Sequence, residues 1–394
     1  MSKRISTVGL VGSVVVAACA GAQEYEVREL PGLSTFFIAN FARDIADDGS
    51  VVGDSLNNTL ARRAVVWAPD GTVADLGTGA DSAMSQARAV SPGGALIAGD
   101  HRNPNGATEA ANWDAAHTLT FLGSLAPDSG GRAFAINDSG LAVGDSRNAV
   151  GLFRPVKYEN GAVVELADNV GAASDVNSAA QIVGWVDTVD GQLAMLWEGT
   201  GSTILTSLGD ARQSAAAINE SGVIVGSALH PDDSKLHAVV WDNGAIQDLG
   251  LYQDLFPTAA LDINDAGVIV GTATMEFASG RTTALIWRNG VAEELNNLIP
   301  PGSGWDLLVA SAINGSGQIV GWGERDAGRT RAFILTPLPC AADRTGDGTA
   351  DVFDLLDYLG LWFAGAAEAD IDGAPGVDVF DLLAYLDLWF AGCE

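Results

Sequence analysis

One short segment recurs seven times along this chain, and its spacing constrains the fold more than any other feature. In the third copy the segment reads Ile136-Asn137-Asp138-Ser139-Gly140, followed by an apolar strand that ends in Gly144. The seven copies begin at Ile45, Val90, Ile136, Val176, Ile218, Ile263 and Ile313. Successive starts are therefore 45, 46, 40, 42, 45 and 50 residues apart. A period near 45 residues, with strand and turn signals in every copy, is typical of β-propeller blades.

Each copy contains signals for four short strands. Asn at the first position and Gly at the fourth position of the repeated segment favour a type I turn between the first two strands. A third apolar strand ends in an aromatic residue, as at Trp241, and the pair Asn243-Gly244 then predicts a hairpin to a fourth strand. The fourth strand ends in Asp-Leu-Gly or a relative of it, as at 248–250. Four strands make one blade, so we predict an all-β, seven-bladed β-propeller over residues 24–336.

The two ends of the repeat region predict how the ring closes. After its third strand the seventh copy turns into Pro337-Leu338-Pro339, so it lacks a fourth strand. Residues 27–32, Val-Arg-Glu-Leu-Pro-Gly, precede the first copy and are similar to the Asp-Leu-Gly strand. Placing this segment as the outer strand of the seventh blade removes an open edge that would invite aggregation. We therefore predict a ring that both termini close.

Aromatic residues at one position of each copy are predicted to pack between blades. These are Trp67, Trp113, Trp197, Trp241 and Trp287, with Phe153 and Phe333 as the expected substitutes in the third and seventh copies. Burying one aromatic side chain removes about 150 to 250 Å² from water, which corresponds to roughly 4 to 6 kcal/mol before entropy. Two turns depart from the pattern. Ala46 replaces Asn in the first copy, and the second copy, which reads Val90-Ser91-Pro92-Gly93-Gly94, has one extra residue. We expect both turns to bulge.

The N-terminus and the overall charge indicate an exported protein. Residues 1–22 combine a short basic start, an apolar run from Val8 to Ala18 and an Ala-x-Ala site, the pattern of a cleaved secretory signal. The alternative is a lipoprotein signal that leaves Cys19 as a lipidated N-terminus. No later apolar run is long enough to span a bilayer, so we expect no transmembrane segment. A formal net charge of -30 argues strongly against nucleic acid as a partner, because its phosphates would be repelled over the whole surface.

The C-terminal segment, residues 340–394, contains a duplicated acidic and apolar unit. Residues 351–365 recur 27 positions later as residues 378–392 with two differences. The loop before the first copy fits a twelve-residue calcium loop, with Gly348 at the sharp turn. Its oxygen donors are, in order, Asp343, Thr345, Asp347, the carbonyl of Thr349, Asp351 and Asp354. We predict that calcium binds here and that Asp347→Ala weakens it.

The second loop retains most of these donors and is expected to bind calcium more weakly. Its donors are Asp370, Asp372, the carbonyl of Gly376, Asp378 and Asp381. Ala374 replaces the fifth-position ligand and Pro375 replaces the glycine at the sharp turn. The competing interpretation of both loops is a helix start, since carboxylates stabilise the first turn through the helix dipole. The apolar residues of the first helix are expected to form its core, namely Leu355, Leu356, Leu359, Trp362 and Phe363.

The two cysteines that remain after signal cleavage flank this segment. Cys340 and Cys393 are predicted to form one disulfide in an oxidising compartment. In the chain-entropy model such a loop closure contributes roughly 4 kcal/mol. Residues 337–339 then form the linker between the propeller and the C-terminal module.

Both parts of the chain resemble known families. The repeats, with their Ile-Asn-x-x-Gly-x-Val-Val-Gly and Asp-Leu-Gly segments, are similar to the HAF-type extracellular repeat, which implies an exported repeat protein of unsettled activity. Residues 340–394 resemble a type I dockerin, whose paired calcium loops and helices dock onto a cohesin domain. The resemblance implies calcium-dependent attachment to a protein partner of the cohesin kind. At positions 10 and 11, where that family usually has small polar residues, this chain has Val352-Phe353 and Val379-Phe380.

The sequence of the propeller contains none of the catalytic motifs that would identify an enzyme class. No nucleophile elbow, phosphate loop or paired Cys-His motif is present, and His101, His117, His230 and His237 are expected to be solvated loop residues. We therefore assign no catalytic or cofactor-binding residue and predict a non-catalytic secreted propeller that binds a carbohydrate or protein ligand. The alternative is a glycoside hydrolase or lyase-type enzyme acting on polysaccharide, with its acids in loops 229–233 or 296–305. Acids and aromatics converging on one mouth of the ring would favour the enzyme, whereas a small, apolar or plugged mouth would favour the binding protein.

Overall fold

The computed structural model describes residues 24–36, 39–77, 84–103, 106–127, 129–276, 280–325, 328–338, 342–345, 350–371, 374 and 376–391. They divide into two compact units, of which the larger is Tyr25–Pro337 and the smaller contains the described residues from Leu338 onward. No helix within these ranges is both long enough and apolar enough to cross a membrane.

The larger unit consists of seven four-stranded antiparallel sheets, one for each copy of the repeat. Blade 1 contains β2 (Asn40–Ile45), β3 (Val51–Leu56), β4 (Arg62–Trp67) and β5 (Val73–Asp75); blade 2 contains β6 (Met84–Val90), β7 (Ile97–Arg102), β8 (Thr108–Trp113) and β9 (Leu119–Phe121). Blade 3 contains β10 (Gly131–Ile136), β11 (Ala142–Arg147), β12 (Phe153–Glu159) and β13 (Ala162–Glu165); blade 4 contains β14 (Gly171–Val176), β15 (Ile182–Thr188), β16 (Gly191–Glu198) and β17 (Gly201–Ile204).

The remaining blades follow the same order of strands. Blade 5 contains β18 (Gln213–Ile218), β19 (Ile224–Leu229), β20 (Leu236–Asp242) and β21 (Ala245–Asp248); blade 6 contains β22 (Thr258–Ile263), β23 (Ile269–Glu276), β24 (Arg281–Arg288) and β25 (Val291–Glu294). Blade 7 contains β26 (Trp305–Ile313), β27 (Ile319–Arg325), β28 (Arg329–Pro337) and β1 (Tyr25–Leu30). A short 3-10 helix, Leu295–Asn297, follows blade 6. The predicted seven-bladed β-propeller is confirmed.

The N-terminal strand closes the ring. β1 pairs antiparallel with β28, in a register that runs from Tyr25 opposite Pro337 to Leu30 opposite Ala332. Blade 1 packs against this completed blade, because β2 contacts β26, β27 and β28. The Trp67 indole N–H donates to the Pro31 carbonyl at 2.7 Å. The edge of β28 is therefore paired within the chain.

The predicted inter-blade aromatics are buried, with one error. Trp67, Trp113 and Trp287 are each 0% exposed. In blade 3 the residue in register is Tyr158, which lies opposite Ala142 and is 2% exposed. Phe153 is instead at the start of β12 and only half-buried, so its assignment was wrong; the strand is longer than the sequence pattern indicated. In blade 7 Phe333 is buried but lies two residues before the position in register.

The repeated Asn has two structural roles. Its side-chain oxygen accepts turn N–H groups, as when Asn219 accepts from Ser221 and Val223 at 3.1 and 2.9 Å. Its amide group donates to the equivalent carbonyl of the next blade, and five such bonds run from Asn137 through Asn177, Asn219 and Asn264 to Asn314, which donates to the Ala46 carbonyl. These bonds tie adjacent blades together.

Of the two turns that were expected to bulge, one does not. The Ala46 turn has the same hydrogen-bond span as the Asn turns, with the Ala46 N–H donating to Ser50 and the Gly49 N–H donating to Ala46. The expected bulge is therefore absent there. The Ser91 turn is longer by one residue, because the Ser91 N–H donates to Leu96.

The smaller unit contains two helices that contact each other symmetrically. α1 (Val352–Ala364) and α2 (Val379–Ala391) are connected through a short 3-10 helix, Ala367–Ala369. The rings of Tyr358 and Tyr385 stack with their centroids 3.9 Å apart. Each tyrosine hydroxyl donates to a carbonyl of the opposite repeat unit, Tyr358 to Ala369 and Tyr385 to Ala342.

The core of this unit differs from the expected one. Tyr358 and Tyr385, at 0% exposure, are its centre, with Leu355 and Trp362 packed against them. Leu356 and Phe363 are 58% and 77% exposed, so their assignment to the core was wrong. Two short helices that share one tyrosine stack bury only one stripe of each helix.

Candidate ligand-binding channel

The inner strands of the seven blades line a central channel. Each inner strand has a one-residue irregularity in its pairing with the second strand, as between Ala42 and Asp44 in blade 1. Such a bulge leaves the extra residue out of the strand pairing and changes the direction of its side chain. The seven extra residues line the channel together: Arg43, Arg88, Phe134, Ser174, Ala216, Leu261 and Ser311. They separate two cavities of about 290 and 500 Å³.

The smaller cavity, on the side of the Asn turns, is acidic. Asp44, Asp175 and Asp262 follow the bulge residues in blades 1, 4 and 6 and line it. Each carboxylate accepts the N–H of the next residue and that of the inner strand of the following blade. Asp44, for example, accepts from Ile45 and Val90, both at 2.8 Å. Asp175 and Asp262 do the same with Ile218 and Ile313.

These three carboxyl groups have raised pKa values. Burial raises the pKa of Asp44 to about 7, against the two N–H bonds that lower it, and the negative charge of Asp175 adds to the rise. Burial raises the pKa of Asp262 well above its ordinary value, with the charge of Asp44 as the next cause. The pKa of Asp175 is also raised by burial. Three acids that share a narrow channel therefore resist simultaneous ionisation.

The rim on this side carries exposed acids that also bridge blades. The Asp265 carboxylate accepts the N–H of Glu220 at 2.9 Å, and Asp47 accepts that of Gly315 at 3.0 Å. Asp138 accepts that of Gly93 in the same way. We call this side, with Asp44, Asp175 and Asp262 inside it, the acidic mouth.

The larger cavity opens on the opposite side and is lined by arginines of consecutive blades. Arg43, Arg88 and Arg132 lie on the inner strands β2, β6 and β10 and line this cavity. Each is paired with an aspartate on the second strand of its own blade, namely Asp54, Asp100 and Asp145. Asp54 also pairs with Arg62 at 3.0 Å. Four guanidinium groups therefore face three carboxylates.

Aromatic rings complete this side, which we call the arginine mouth. The ring of Phe134 lies under two guanidinium groups, with the Cζ atoms of Arg88 and Arg132 at 5.3 and 5.1 Å from its centroid. Trp185 lines the cavity from β15 of blade 4. The position of the paired aspartates is occupied by Trp185, Ser227, Thr272 and Trp322 in blades 4 to 7. At this position the first three blades are therefore charged and the other four are neutral.

The arginine mouth has the chemistry of a site for an anionic group. The hydrogen bond from Arg132 to Asp145 raises the pKa of the Arg132 guanidinium despite partial burial, so this group stays charged. A guanidinium has five N–H donors in a planar fork, and one carboxylate uses at most two of them. The side chains of Arg43 and Arg132 remain 31% and 36% exposed. Some guanidinium N–H groups therefore remain available to a ligand. The aspartates hold these guanidinium groups in place.

The carboxylates around the channel are already engaged by the protein. Those of the arginine mouth pair with guanidinium groups, and Asp44, Asp175 and Asp262 each accept two backbone N–H bonds. Phe134 lines both cavities, and Trp185 lines the arginine mouth. Acids and aromatics therefore meet in the channel, but these carboxylates are held by guanidinium groups or by backbone N–H groups.

The described residues of the first predicted calcium loop lie close together. The Asp354 carboxylate accepts from the N–H groups of Arg344, Thr345 and Asp351 at 2.9, 2.8 and 2.7 Å. The Thr345 hydroxyl is 3.5 Å from Asp343. The N–H bonds from Asp351 and Thr345 lower the pKa of Asp354 to about 2. Asp347 and Thr349 lie outside the described residues.

The acids of both loops also cap the helices that follow them. Asp351 accepts from the Phe353 N–H and forms a capping box with Asp354. The second repeat does the same, since Asp378 accepts from Phe380 and Asp381 accepts from Asp378, both at 2.7 Å. This arrangement corresponds to the competing interpretation of a helix start. Each carboxylate has about four lone-pair sites, so the donor set, made entirely of oxygen, still fits calcium.

The remaining predicted site residues belong mainly to the second loop. Asp381 also accepts the Ile371 N–H at 2.8 Å, which holds the second loop against its helix. Gly376 has a positive φ of 96°, and Asp370 is partly buried. Asp372, Cys340 and Cys393 lie outside the described residues, as does the signal segment 1–22.

The arginine mouth was not predicted from the sequence, although the repeats contain a signal for it. Aligning the copies places Asp54, Asp100 and Asp145 at one position directly after the strand glycine, and only in the first three copies. Arg43 and Arg88 share a second position. The histidine assignments were partly wrong, because His101 and His237 are buried on strands at 4% and 6% exposure.

The comparisons with known proteins identify the fold. No family model matches the chain, and no curated protein matches it. A streptogramin B lyase structure is 14% identical with a TM-score of 0.51, over 80% of this chain and 98% of that one. Virginiamycin B lyase from Staphylococcus aureus is 14% identical with a TM-score of 0.50, over 80% and 100%. Acylaminoacyl peptidase from Pyrococcus horikoshii is 16% identical with a TM-score of 0.50, over 76% of this chain and 51% of that one. At these identities the likeness shows a β-propeller fold and no activity.

Proposed function

We propose that this protein is an exported, non-catalytic β-propeller that binds a carboxylate-bearing or sulfate-bearing sugar of an extracellular polysaccharide at the arginine mouth. The observation that carries the proposal is the row of Arg43, Arg88 and Arg132 on three consecutive inner strands. Guanidinium groups with remaining donors bind the oxygens of carboxylates and of tetrahedral oxyanions in a bidentate manner. The faces of Phe134 and Trp185 supply apolar surface for the sugar ring.

The net charge of the whole protein does not prevent this binding. The formal net charge is -30, but at physiological ionic strength charges further apart than about 8 Å are largely screened. At the arginine mouth the guanidinium groups outnumber the carboxylates. This local positive charge therefore governs the approach of an anionic sugar. A cavity of about 500 Å³ suits one or two sugar rings rather than a long chain.

The C-terminal module is proposed to attach the propeller to a protein partner in a calcium-dependent manner. Its resemblance to type I dockerins and its all-oxygen donor sets support this role. Four apolar residues of each helix are exposed in matched positions: Val352, Phe353, Leu356 and Phe363, and Val379, Phe380, Leu383 and Phe390. Two equivalent apolar patches on a small module are typical of a protein-binding surface. Because Val352-Phe353 and Val379-Phe380 replace the polar residues usual in that family, the partner presents an apolar surface and differs from a typical cohesin.

Export through the signal segment 1–22, or lipidation at Cys19 in the alternative, belongs to the same proposal. So does a disulfide between Cys340 and Cys393. All three fit an extracellular assembly, in which thiols oxidise and calcium is abundant.

A polysaccharide-processing enzyme is the second candidate. It is favoured by the raised pKa values of Asp44, Asp175 and Asp262 in one channel, because catalytic acids often have such values. The two backbone N–H bonds of each of these carboxylates make binding the better supported function.

The test is a binding and cleavage screen with the mature full chain. Acidic polysaccharides and their carboxyl-reduced neutral counterparts are compared by affinity electrophoresis and calorimetry, and new reducing ends and unsaturated ends are measured in parallel. We expect binding to acidic but not to neutral polymers, without new chain ends. Cleavage at any pH between 4 and 8 would establish the enzyme instead, and equal binding to both classes would refute recognition by the arginines.

A further inference from the structure

Two histidines and two aspartates meet at the edge of blade 5, outside the central channel. His237 on β20 has a side chain that is only 7% exposed. Its Nδ1 is 2.9 Å from both oxygens of Asp248 on β21, and its Nε2 is 3.0 Å from Oδ2 of Asp233. His230 stacks on it, with centroids 4.8 Å apart and planes at 13°. One ligand atom each of His230, Asp233 and His237 lies within 4.8 Å of the others.

Other blades show which part of this cluster belongs to the common framework. In blade 1 the residues at the positions of His237 and Asp248 are Arg63 and Asp75, which form an ion pair at 3.1 Å. In blade 6 the same positions hold Thr283 and Glu294, which form a hydrogen bond at 2.7 Å. A polar pair at this place is therefore structural. The additional groups of blade 5 are His230 and Asp233, which come from the loop before β20.

Each side chain of the cluster is oriented by a second contact. The Asp248 carboxylate accepts the Gly250 N–H at 2.7 Å and is placed to accept the Nδ1–H of His237. The lone pair of His237 Nε2 then points toward Asp233. Oδ1 of Asp233 accepts the Lys235 N–H at 2.9 Å, which leaves Oδ2 for another partner. A carboxylate that orients a histidine in this way is typical of the outer shell of zinc sites.

We propose that His230, Asp233 and His237 bind a zinc ion, with Asp248 orienting His237. Two imidazole nitrogens and one carboxylate oxygen form a three-ligand zinc set that leaves one position for water. Bonds of about 2.0 to 2.2 Å place tetrahedral ligand atoms about 3.3 Å apart, close to the 3.0 Å between His237 and Asp233. His230 lies on the same loop as Asp233, and its ligand atom is within 4.8 Å of those of Asp233 and His237. A movement of about 1.5 Å brings it to the tetrahedral spacing. This nitrogen-containing donor set selects zinc over calcium.

The test measures zinc on the mature full chain at pH 7.5 with millimolar calcium, which occupies sites made only of oxygen. Protein stripped with a chelator is titrated with zinc against a chromophoric competitor, and bound metal is counted by mass spectrometry. The variants are His230→Ala, Asp233→Asn and His237→Gln. The control is His117→Asn, which removes an exposed histidine from another blade and suits its positive φ of 61°.

We expect one zinc per chain in the wild type and the control, and at least about a tenfold weaker affinity in each of the three variants, since loss of ligand-shell groups typically costs 10-fold to 100-fold. Zinc should also raise the Tm of the wild type and not that of His230→Ala, whose loop position leaves the strands intact. Equal zinc binding by the wild type and His230→Ala would overturn the proposal. So would the absence of zinc binding in the wild type, which would leave His237 as a hydrogen-bonded bridge between Asp233 and Asp248.

Discussion

At the scale of single residues, the asparagine of the repeat acts both in its own blade and on the next one. Asn219 accepts two turn N–H groups and donates to the Asn264 carbonyl at 3.2 Å. Asn148 forms the same kind of turn, accepting from Val150 and Leu152 at 3.1 Å, on the exposed side of its blade. The hydrogen bond to the next blade therefore distinguishes Asn219 from Asn148.

We expect Asn219→Ala to lower the free energy of unfolding by about 1 kcal/mol more than Asn148→Ala, because a buried hydrogen bond contributes roughly 0.5 to 1.5 kcal/mol. Urea unfolding of the two variants measures this difference. Equal losses would show that the Asn acts through its turn alone.

The channel carboxylates predict a pH dependence of stability. The pKa of Asp44 is raised from 3.8 to about 7 in the folded protein, so the folded state holds its proton more tightly than the unfolded state. The contribution of this group to stability is complete below pH 4 and is lost as the pH rises toward 7. One pKa unit corresponds to about 1.4 kcal/mol.

We therefore expect Asp44→Asn to flatten the fall in stability between pH 4.5 and 8 by roughly 3 kcal/mol, measured by urea unfolding at several pH values. Asp48→Asn, at an exposed acid of the same turn, is the control for the change in net charge. Parallel pH curves for the wild type and Asp44→Asn would contradict this account of the channel.

At the scale of elements, each half of the C-terminal module secures the other. The Trp362 indole donates to the Asp378 carbonyl at 2.6 Å, and Trp389 donates to Asp351 at 2.7 Å. Together with the crossed tyrosine bonds, these contacts fix the start of each helix through the opposite helix. Loss of order in one loop should therefore reach both helices.

We expect Asp347→Ala to abolish tight calcium binding in the first loop and to lower the thermal stability of both helices in calcium. Calorimetric titration of the full chain and its far-ultraviolet dichroism measure these two effects. Asp357→Ala is the matched control, since the second repeat has Ala384 at that position. Unchanged calcium affinity in Asp347→Ala would favour the capping role of these acids alone.

The sequence predicted elements better than side-chain environments. Strand and turn periodicity located all seven blades, because backbone pairing depends on local patterns that the repeat states many times. It misplaced Phe153, Leu356 and Phe363, because burial depends on which neighbouring element covers a side chain. The pairing of Arg132 with Asp145 was not predicted, since the two residues meet only when β10 and β11 pair in register.

At the scale of the whole molecule, the N-terminal strand completes the propeller. β1 supplies the fourth strand of blade 7 and, just after it, the acceptor for Trp67 of blade 1. Glu29 on β1 also pairs with Arg325 and Arg331 at 3.1 and 2.8 Å. The closure of the ring was predicted correctly because an unpaired edge in a ring is unfavourable whatever the details of the sequence.

We expect deletion of residues 24–31 to leave β28 with an open edge, so that the propeller aggregates and loses its cooperative thermal transition. Deletion from residue 338 onward removes the other unit and should leave that transition in place. Size-exclusion chromatography and calorimetry of the two truncations distinguish them. A monomeric, cooperatively folded protein without residues 24–31 would show that ring closure does not need β1.

The most direct measurement of the central claim is the affinity for an acidic oligosaccharide when one arginine pair is neutralised. In Arg132→Gln/Asp145→Asn both partners change together, so no buried carboxylate is left unpaired. The matched control is Arg63→Gln/Asp75→Asn, an equivalent ion pair outside the channel. We predict a loss of affinity of at least about tenfold, or 1.4 kcal/mol, in the first variant and none in the control. Equal affinity in the wild type and both variants would contradict binding at the arginine mouth.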